Sequence, residues 1–139
     1  MSNKTEKSYI YFPEHATLHR TFKIGETSNL ETRGNNLWSQ ERMRVARYVS
    51  FDGTKDERLF IEAYLRSKYS ANRNLAHFGN DHFTARTQNN LRGAENKFFL
   101  HVAEAFALLE IIKNKKYEFK TNVGRYNRWA DLLADWETL

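Results

Sequence analysis

Four side chains in the first quarter of the chain are suited to acting together on one phosphate group: Tyr9, Tyr11, Lys23 and Arg33. The two tyrosines are two residues apart, so on an extended segment they point to the same side. A lysine can donate to a phosphate oxygen, and an arginine guanidinium can hold two phosphate oxygens at once. Phosphodiester hydrolysis needs an activated water and cations that neutralise the phosphoryl oxygens. These residue types are compatible with chemistry at a phosphodiester.

Two tripeptides hold these residues, and a threonine and an arginine follow the second: Tyr9-Ile10-Tyr11, then Lys23-Ile24-Gly25 with Thr27 and Arg33. Together they resemble the GIY-YIG nuclease superfamily, which is named for its two tripeptides. Tyr9 stands where the family has glycine, and Lys23 stands where it has tyrosine. The arginine lies eight residues after the glycine, as in the family. The resemblance covers roughly residues 8–85 and implies an α/β domain with a small three-stranded mixed sheet flanked by helices.

The resemblance also implies a function, that of a divalent-metal-dependent endonuclease that cuts nucleic acid, with DNA expected as the substrate rather than RNA. Tyr11 takes the place of the tyrosine that orients or deprotonates the attacking water. Arg33 takes the place of the helical arginine that holds the phosphate, and Lys23 would donate to a phosphate oxygen or assist the base. The products would be a 5′-phosphate and a 3′-hydroxyl.

The metal ligand has two candidates on the helix that follows the third expected strand. Glu62 fits the family pattern of an apolar residue, a glutamate, two further residues and an apolar residue. On a helical wheel, however, Glu57 lies on the apolar arc, whereas Glu62 lies toward two arginines. We favour Glu62, because Glu57 is also explained as a first-turn partner of the helix dipole. One carboxylate, completed by waters and substrate oxygens, is an ordinary site for Mg²⁺, and Mn²⁺ is the alternative ion.

Further contacts to nucleic acid are expected from polar and aromatic residues near these motifs: Tyr9, Arg42, Arg44, Tyr48 and Asn80. Asn80 is the nearest match to an asparagine that family members often carry beyond the glutamate helix. Asp81 and His82, beside it, are alternative site residues or simply solvated loop residues.

The pattern of apolar residues predicts the order β-β-α-β-α for the motif half. Strands are expected at residues 8–12 and 20–26, joined as a hairpin, and at 43–51, where apolar residues alternate. Ser28 or Asn29 is expected to cap a helix of two to three turns, and Thr54 a helix that extends to about residue 69. A short extended segment is expected around residues 82–84.

Two regions are predicted, a nuclease core of residues 1–87 and a C-terminal helical extension of residues 88–139. The extension contains the strongest helical pattern, residues 94–113, with a broad apolar stripe from Phe98 to Ile112. Trp129 and Trp136 lie on a last short helix, where they are expected to pack in the core or at an interface. The extension is expected to pack on the core or to pair two subunits.

Composition and charge limit the classes of function. The chain has 139 residues, 40 % hydrophobic, with a net charge of +5. Residues 1–87 hold 14 Lys/Arg against 10 Asp/Glu, and residues 88–139 hold 8 against 7. A basic surface attracts nucleic acid by counterion release. The absence of cysteine excludes thiol nucleophiles and zinc–thiolate sites, and no apolar leader opens the chain, so a cytoplasmic location is expected.

Two other classes of protein agree with the same sequence. The first is an inactive GIY-YIG-like module that binds nucleic acid or a protein partner through its basic surface. The second is an unrelated α/β protein in which the motifs arise by chance. Catalysis needs Tyr11, Arg33 and Glu62 together, whereas binding depends on the sum of the cations and tolerates the loss of Glu62.

Overall fold

The computed structural model describes residues 4–16, 20–70 and 82–139, which form an α/β fold around one open antiparallel sheet. Within the described residues the sheet has seven strands in the order β5-β2-β1-β4-β6-β7, with β3 also paired to β1. The strands are β1 (Glu6–His15), β2 (Thr21–Lys23), β3 (Gly25–Thr27), β4 (Met43–Gly53), β5 (His82–Thr84), β6 (Phe119–Thr121) and β7 (Arg125–Tyr126).

The α/β class and the antiparallel hairpin of β1 with β2 and β3 are confirmed, but the expected three-stranded mixed sheet is wrong. All six strand pairings are antiparallel within the described residues. The additional strands include β6, which pairs with β4 so that Phe119 lies opposite Phe51. Residues 88–139 therefore add strands to the same sheet as well as helices.

The helices are α1 (Leu30–Asn36), continued by a π-helical turn (Leu37–Glu41), then α2 (Lys55–Lys68), α3 (Gln88–Asn96), α4 (Phe98–Lys113) and α5 (Trp129–Asp135) with a final 3₁₀ turn (Trp136–Thr138). Asn29 caps α1, because its side chain accepts a hydrogen bond from the amide of Thr32. Thr54 and Glu57 form a reciprocal capping box at the start of α2. The helix expected at 94–113 begins earlier and is interrupted at Lys97. In the described part of the chain, no helix has the length and apolar character needed to cross a membrane.

The main core lies on one face of the sheet, which we call the core face and which carries Ile10 and Phe12 of β1. Helices α2 and α4 pack together over it, and α5 packs on α4. The apolar stripe of α4 is buried as far as Leu109, whereas Ile112, expected on the same stripe, is exposed. Trp129 and Trp136 pack against this core.

The opposite face, which we call the site face, carries Tyr9 and Tyr11, because neighbouring residues of a strand point to opposite sides. A smaller apolar cluster covers part of it, formed by Tyr11, Leu37 and Met43 with Leu30, Val45 and Tyr48 packed around them. The pairing of β1 with β4 shifts register after Phe12, where Pro13 lies opposite Val45. This bulge accommodates a proline, which has no amide hydrogen to donate to the sheet.

Candidate active site

The centre of the candidate site is the Tyr11 side chain, which is 2 % exposed and lies on the site face. Tyr11 is directly opposite Gly25 in the antiparallel pairing of β1 with β3. A Cβ atom added at Gly25 would lie 2.4 Å from both Cζ and the hydroxyl oxygen of Tyr11. The glycine of the second motif therefore leaves the space that the phenol ring of the first motif occupies.

Arg33 reaches this ring from α1, which lies over the site face. Its Nε donates a hydrogen bond of 2.9 Å to the Tyr11 hydroxyl oxygen. The cap at Asn29 starts the helix one turn before Arg33 and so sets where its side chain projects. The two residues that the motifs select for phosphate chemistry are thus in direct contact, although 22 positions separate them.

The environment of Tyr11 determines its protonation state. Burial raises the pKa of the hydroxyl, the hydrogen bond and charge of Arg33 lower it, and the charges of Glu62 and Glu26 raise it. The net result is a pKa above the ordinary value of 10. Tyr11 is therefore protonated at neutral pH, and its O–H remains a donor while its oxygen accepts from Arg33. In this state the phenol is suited to orienting a water molecule and poorly suited to removing its proton.

Glu62 acts on this hydroxyl from α2, although that helix packs on the core face. Glu62 is partly exposed, and its negative charge raises the pKa of Tyr11. This electrostatic effect is the link that the structure shows between the two residues.

Glu57, the competing candidate, has structural partners on every side. It is 3 % exposed, and its Oε1 accepts from the Thr54 amide at 2.7 Å. Its Oε2 accepts from the Tyr117 hydroxyl and lies 3.6 Å from Nζ of Lys115. Although burial raises its pKa, these hydrogen bonds and the lysine charge bring the pKa below the ordinary value. The anomalous position of Glu57 on the helical wheel is explained by these contacts.

Lys23 lies on β2, two residues before Gly25, and is 8 % exposed. Its Nζ forms an ion pair of 3.2 Å with Oε1 of Glu41, at the end of the π-helical turn. A phosphate that bound Lys23 would have to displace the Glu41 carboxylate from the lysine Nζ or share Nζ with it.

Tyr9 and Tyr48 lie beside Tyr11 on the site face and are both partly exposed. Tyr48 is opposite Tyr11 in the pairing of β1 with β4. The rings of Tyr9 and Tyr48 meet edge to face, with centroids 6.3 Å apart. Their hydroxyl groups border the site without contacting Arg33 through any hydrogen bond that the structure shows.

Arg42 and Arg44 lie around an aromatic residue that sequence reasoning missed, Trp38. Their guanidinium carbons lie 5.2 Å and 4.5 Å from the centre of its ring. Trp38 is 37 % exposed on the π-helical turn, and Arg42, which ends that turn, adopts a left-handed backbone with φ of 56°. The sequence signal was a tryptophan followed by two arginines four and six residues later. Such a cation–π arrangement presents both positive charge and an aromatic surface to solvent.

A single-carboxylate metal site agrees with the donors present. The structure as described contains no group of three or more His, Cys, Asp or Glu residues that could hold an ion. Mg²⁺ usually keeps several waters and is bound by one or two carboxylates plus substrate phosphates. Glu62, whose charge acts on Tyr11, is a donor of this type.

The predicted site residues fall into three groups. Arg33 contacts the Tyr11 hydroxyl, Glu62 acts on Tyr11 through its charge, and Lys23 is held by Glu41. Arg42 and Arg44 form a separate surface around Trp38, and Asn80 and Asp81, like the side chain of His82, lie outside the described residues.

Comparison of the chain with protein-family models, curated proteins and solved structures found no match.

Proposed function

We propose that the chain is a divalent-metal-dependent endonuclease that hydrolyses phosphodiester bonds in nucleic acid, with DNA as the expected substrate. The observation that carries the proposal is the hydrogen bond from Arg33 to the Tyr11 hydroxyl, above the space left by Gly25. This contact places a permanent cation and a hydroxyl donor at one point. A phosphate at that point would meet both groups, and the motif spacing implies the same pair.

In the proposed reaction a water molecule attacks phosphorus and the bond to the 3′-oxygen breaks, which leaves a 3′-hydroxyl and a 5′-phosphate. Tyr11, protonated because of its raised pKa, orients the water through its hydroxyl. Arg33 neutralises the charge that develops on the phosphoryl oxygens, a contact that strengthens in the transition state. The proton of the attacking water passes to solvent.

Glu62 is the residue that would hold the metal ion. When bound, the ion would supply further positive charge to the phosphate and its leaving oxygen. Glu26, the other acid whose charge acts on Tyr11, already forms an ion pair of 2.9 Å with Arg58. The motif pattern on α2 matches Glu62, which we therefore take as the ligand.

The ion pair of Lys23 with Glu41 is a contact that a bound phosphate would replace. The pair is largely buried, so its separation in the absence of substrate is unfavourable. An incoming phosphate supplies an alternative anion for Lys23. Lys23 then contributes to holding substrate, in exchange for the Glu41 contact.

The test is incubation of the purified protein with supercoiled plasmid in Mg²⁺ or Mn²⁺, and then with EDTA. We expect nicked and linear products in the presence of the ion and none with the chelator. Tyr11→Phe keeps the ring against Gly25 and removes the hydroxyl, so activity should fall about a hundredfold, within the usual range for loss of one positioned polar group. The matched control is Tyr64→Phe, which removes a hydroxyl on the side of α2 away from Glu62, and this variant should cut normally.

Two results would contradict the proposal. Cleavage that persists in EDTA would show that the activity needs no metal ion or comes from a contaminant. No cleavage by the wild-type protein, together with DNA binding, would favour the inactive binding module, for which the cationic surface around Trp38 is the supporting observation.

A further inference from the structure

A cationic groove of about 750 Å³ opens at the end of the sheet away from α1. It lies between the start of β1, the end of β4, the segment that joins α4 to β6, and β7. Six positively charged residues line it: Lys7, Lys115, Lys116, Lys120, Arg125 and Arg128. The acids in its lining are Asp52 and Glu118.

The strand register places Lys120 and Arg125, two of the lining residues, on the site face. Tyr9 is opposite Ser50, Ser50 is opposite Lys120, and Lys120 is opposite Arg125. Residues directly opposite each other in antiparallel strands share a face. One row of side chains therefore runs across the sheet from Tyr9, beside the candidate site, to Arg125.

The distance along this row is short on the scale of a nucleic acid. Two strand spacings of about 4.8 Å and two residues along β1 separate Tyr11 from Lys120 by roughly 12 Å. Phosphates of one DNA strand succeed each other about every 3.4 Å along the axis, so the row corresponds to about four nucleotides. A strand that enters the candidate site can extend into the groove.

Five of the six cations in the groove are available to a ligand, because the structure shows no ion pair between them and a carboxylate among the described residues. The exception is Lys115, whose Nζ lies 3.6 Å from the Glu57 carboxylate. A solvent-exposed row of unpaired cations favours a polyanion through counterion release.

We infer that this groove binds the sugar–phosphate backbone of the nucleic acid a few nucleotides from the bond that Tyr11 and Arg33 would act on. The inference rests on the proposed function for the choice of ligand. The continuity of the row with the candidate site favours nucleic acid over an acidic protein. The residues that carry the contact are Lys120 and Arg125 at the far end of the row, with Lys116 and Arg128 elsewhere in the groove lining.

The experiment measures binding of a fluorescent 16-base-pair duplex in EDTA, where cleavage does not interfere. Lys120→Gln/Arg125→Gln should raise Kd about tenfold at 0.1 M salt and should lower the slope of log K against log salt by about 2. Lys68→Gln/Lys97→Gln removes the same charge from the helices over the core face and is the control, with a smaller change expected. Lys116→Gln/Arg128→Gln, at exposed positions that do not affect folding, should repeat the effect of the first pair.

The outcomes separate this inference from the proposed activity. If both groove pairs bind like the control, the groove inference is overturned, even if the wild-type protein cuts plasmid. If the groove pairs bind weakly and the wild-type protein does not cut, the groove inference holds and the nuclease proposal fails. Failure of the wild-type protein to bind the duplex overturns the groove inference, and displacement of the duplex by polyglutamate at a much lower concentration of charge than by unlabelled DNA would assign the groove to an acidic protein instead.

Discussion

Between the core face and its helices, buried charges form ion pairs, whereas two cations on the site face do not. The buried side chain of Arg58, on α2, forms ion pairs of 2.9 Å with Glu26 and 2.7 Å with Glu6. On the site face, Lys120 and Arg125 form no ion pair within the part of the chain that the structure describes. The same strands carry both arrangements, since β1 contributes to each face. Paired charges on the core face keep the helices in place, and unpaired charges on the site face can attract a ligand.

The largest effect that would test this division is the removal of the C-terminal region. Truncation after Thr87 deletes α4 and β6, and with them Phe106 and Phe119, whose stacked rings lie 4.6 Å apart. Each buried side chain of this size contributes roughly 1.5–3 kcal/mol, and a domain has a net stability of only about 5–15 kcal/mol. We expect an insoluble or molten protein, detected by expression in the soluble fraction and by loss of near-ultraviolet circular dichroism.

A pair of point variants within α4 controls for the severity of the deletion. Phe106→Ala should lower the free energy of unfolding by about 3–5 kcal/mol, whereas Ile111→Ala, at an exposed position, should change it by less than about 0.5 kcal/mol. A folded and fully active fragment of residues 1–87 would show that the core face does not need its C-terminal half. Sedimentation of the full chain would then show whether the tail pairs two subunits.

The second test compares the substitution of two glutamates on one helix, Glu62 and Glu57. Glu62→Gln should lower the rate of metal-dependent cleavage by about 10²–10³-fold, because the proposed metal ligand loses its charge, and should change the free energy of unfolding less than Glu57→Gln does. Glu57→Gln should instead cost about 2–3 kcal/mol of stability, because it weakens the bonds from Tyr117 and Lys115. Plasmid cleavage rates and urea unfolding of both variants provide the comparison. Full activity in Glu62→Gln, with loss of cleavage in a folded Glu57→Gln protein, would reverse the assignment.

Local sequence signals were sufficient to predict the elements that carry the motifs. The hairpin, the cap at Asn29 and the cap at Thr54 each depend on residues a few positions apart, and all three are confirmed. The meeting of Tyr11 with Arg33 came from motif spacing and agrees with the structure. The catalytic roles of these residues stay predictions.

Features that depend on distant pairing could not be predicted in this way. Residues 119–121 are a strand only because β4 offers an edge to pair with, and a three-residue segment has too little pattern to reveal this. The alternation expected along β4 fails at the bulge opposite Phe12 and Pro13, which places Met43 with Tyr11 while Val49 lies in the main core. Trp38 was missed because its position between Arg42 and Arg44 arises from a π-helical turn that has no simple sequence period.

The third test compares two arginines on the site face. Arg33→Ala should lower kcat by about 10²–10³-fold while duplex affinity changes less than tenfold, because its contact strengthens in the transition state. Arg42→Ala, at the exposed Trp38 surface, should weaken binding modestly and leave kcat nearly unchanged. Single-turnover cleavage and anisotropy in EDTA measure the two quantities. Equal losses of rate and affinity in Arg33→Ala would make it a positioning residue only.

The smallest effect concerns an exception on the core face, the Glu14 carboxyl. Arg92 holds its Oε1 at 2.8 Å, but its buried Oε2 has no hydrogen-bond partner among the described residues. Burial and the neighbouring Glu95 carboxylate raise the pKa of Glu14 from 4.5 to about 7, against the opposing effect of Arg92. A protonated Glu14 can donate to Glu95, and this satisfies the oxygen that is otherwise left without a partner.

Because the folded protein holds this proton more tightly than the unfolded chain does, stability should fall as pH rises from about 4.5 to about 7 and then level off. Partial exposure and coupling to Glu95 reduce the expected loss to about 1–2 kcal/mol. Glu14→Gln keeps the shape and has a permanent donor, so it should be about 1 kcal/mol more stable than wild type at pH 8 and nearly equal to it at pH 4.5. Urea unfolding across this pH range measures the difference, with Glu31→Gln at an exposed position of α1 as the control. Parallel stability curves for the wild-type and Glu14→Gln proteins would show that the carboxyl is fully compensated, and that the core face has no exception to its paired charges.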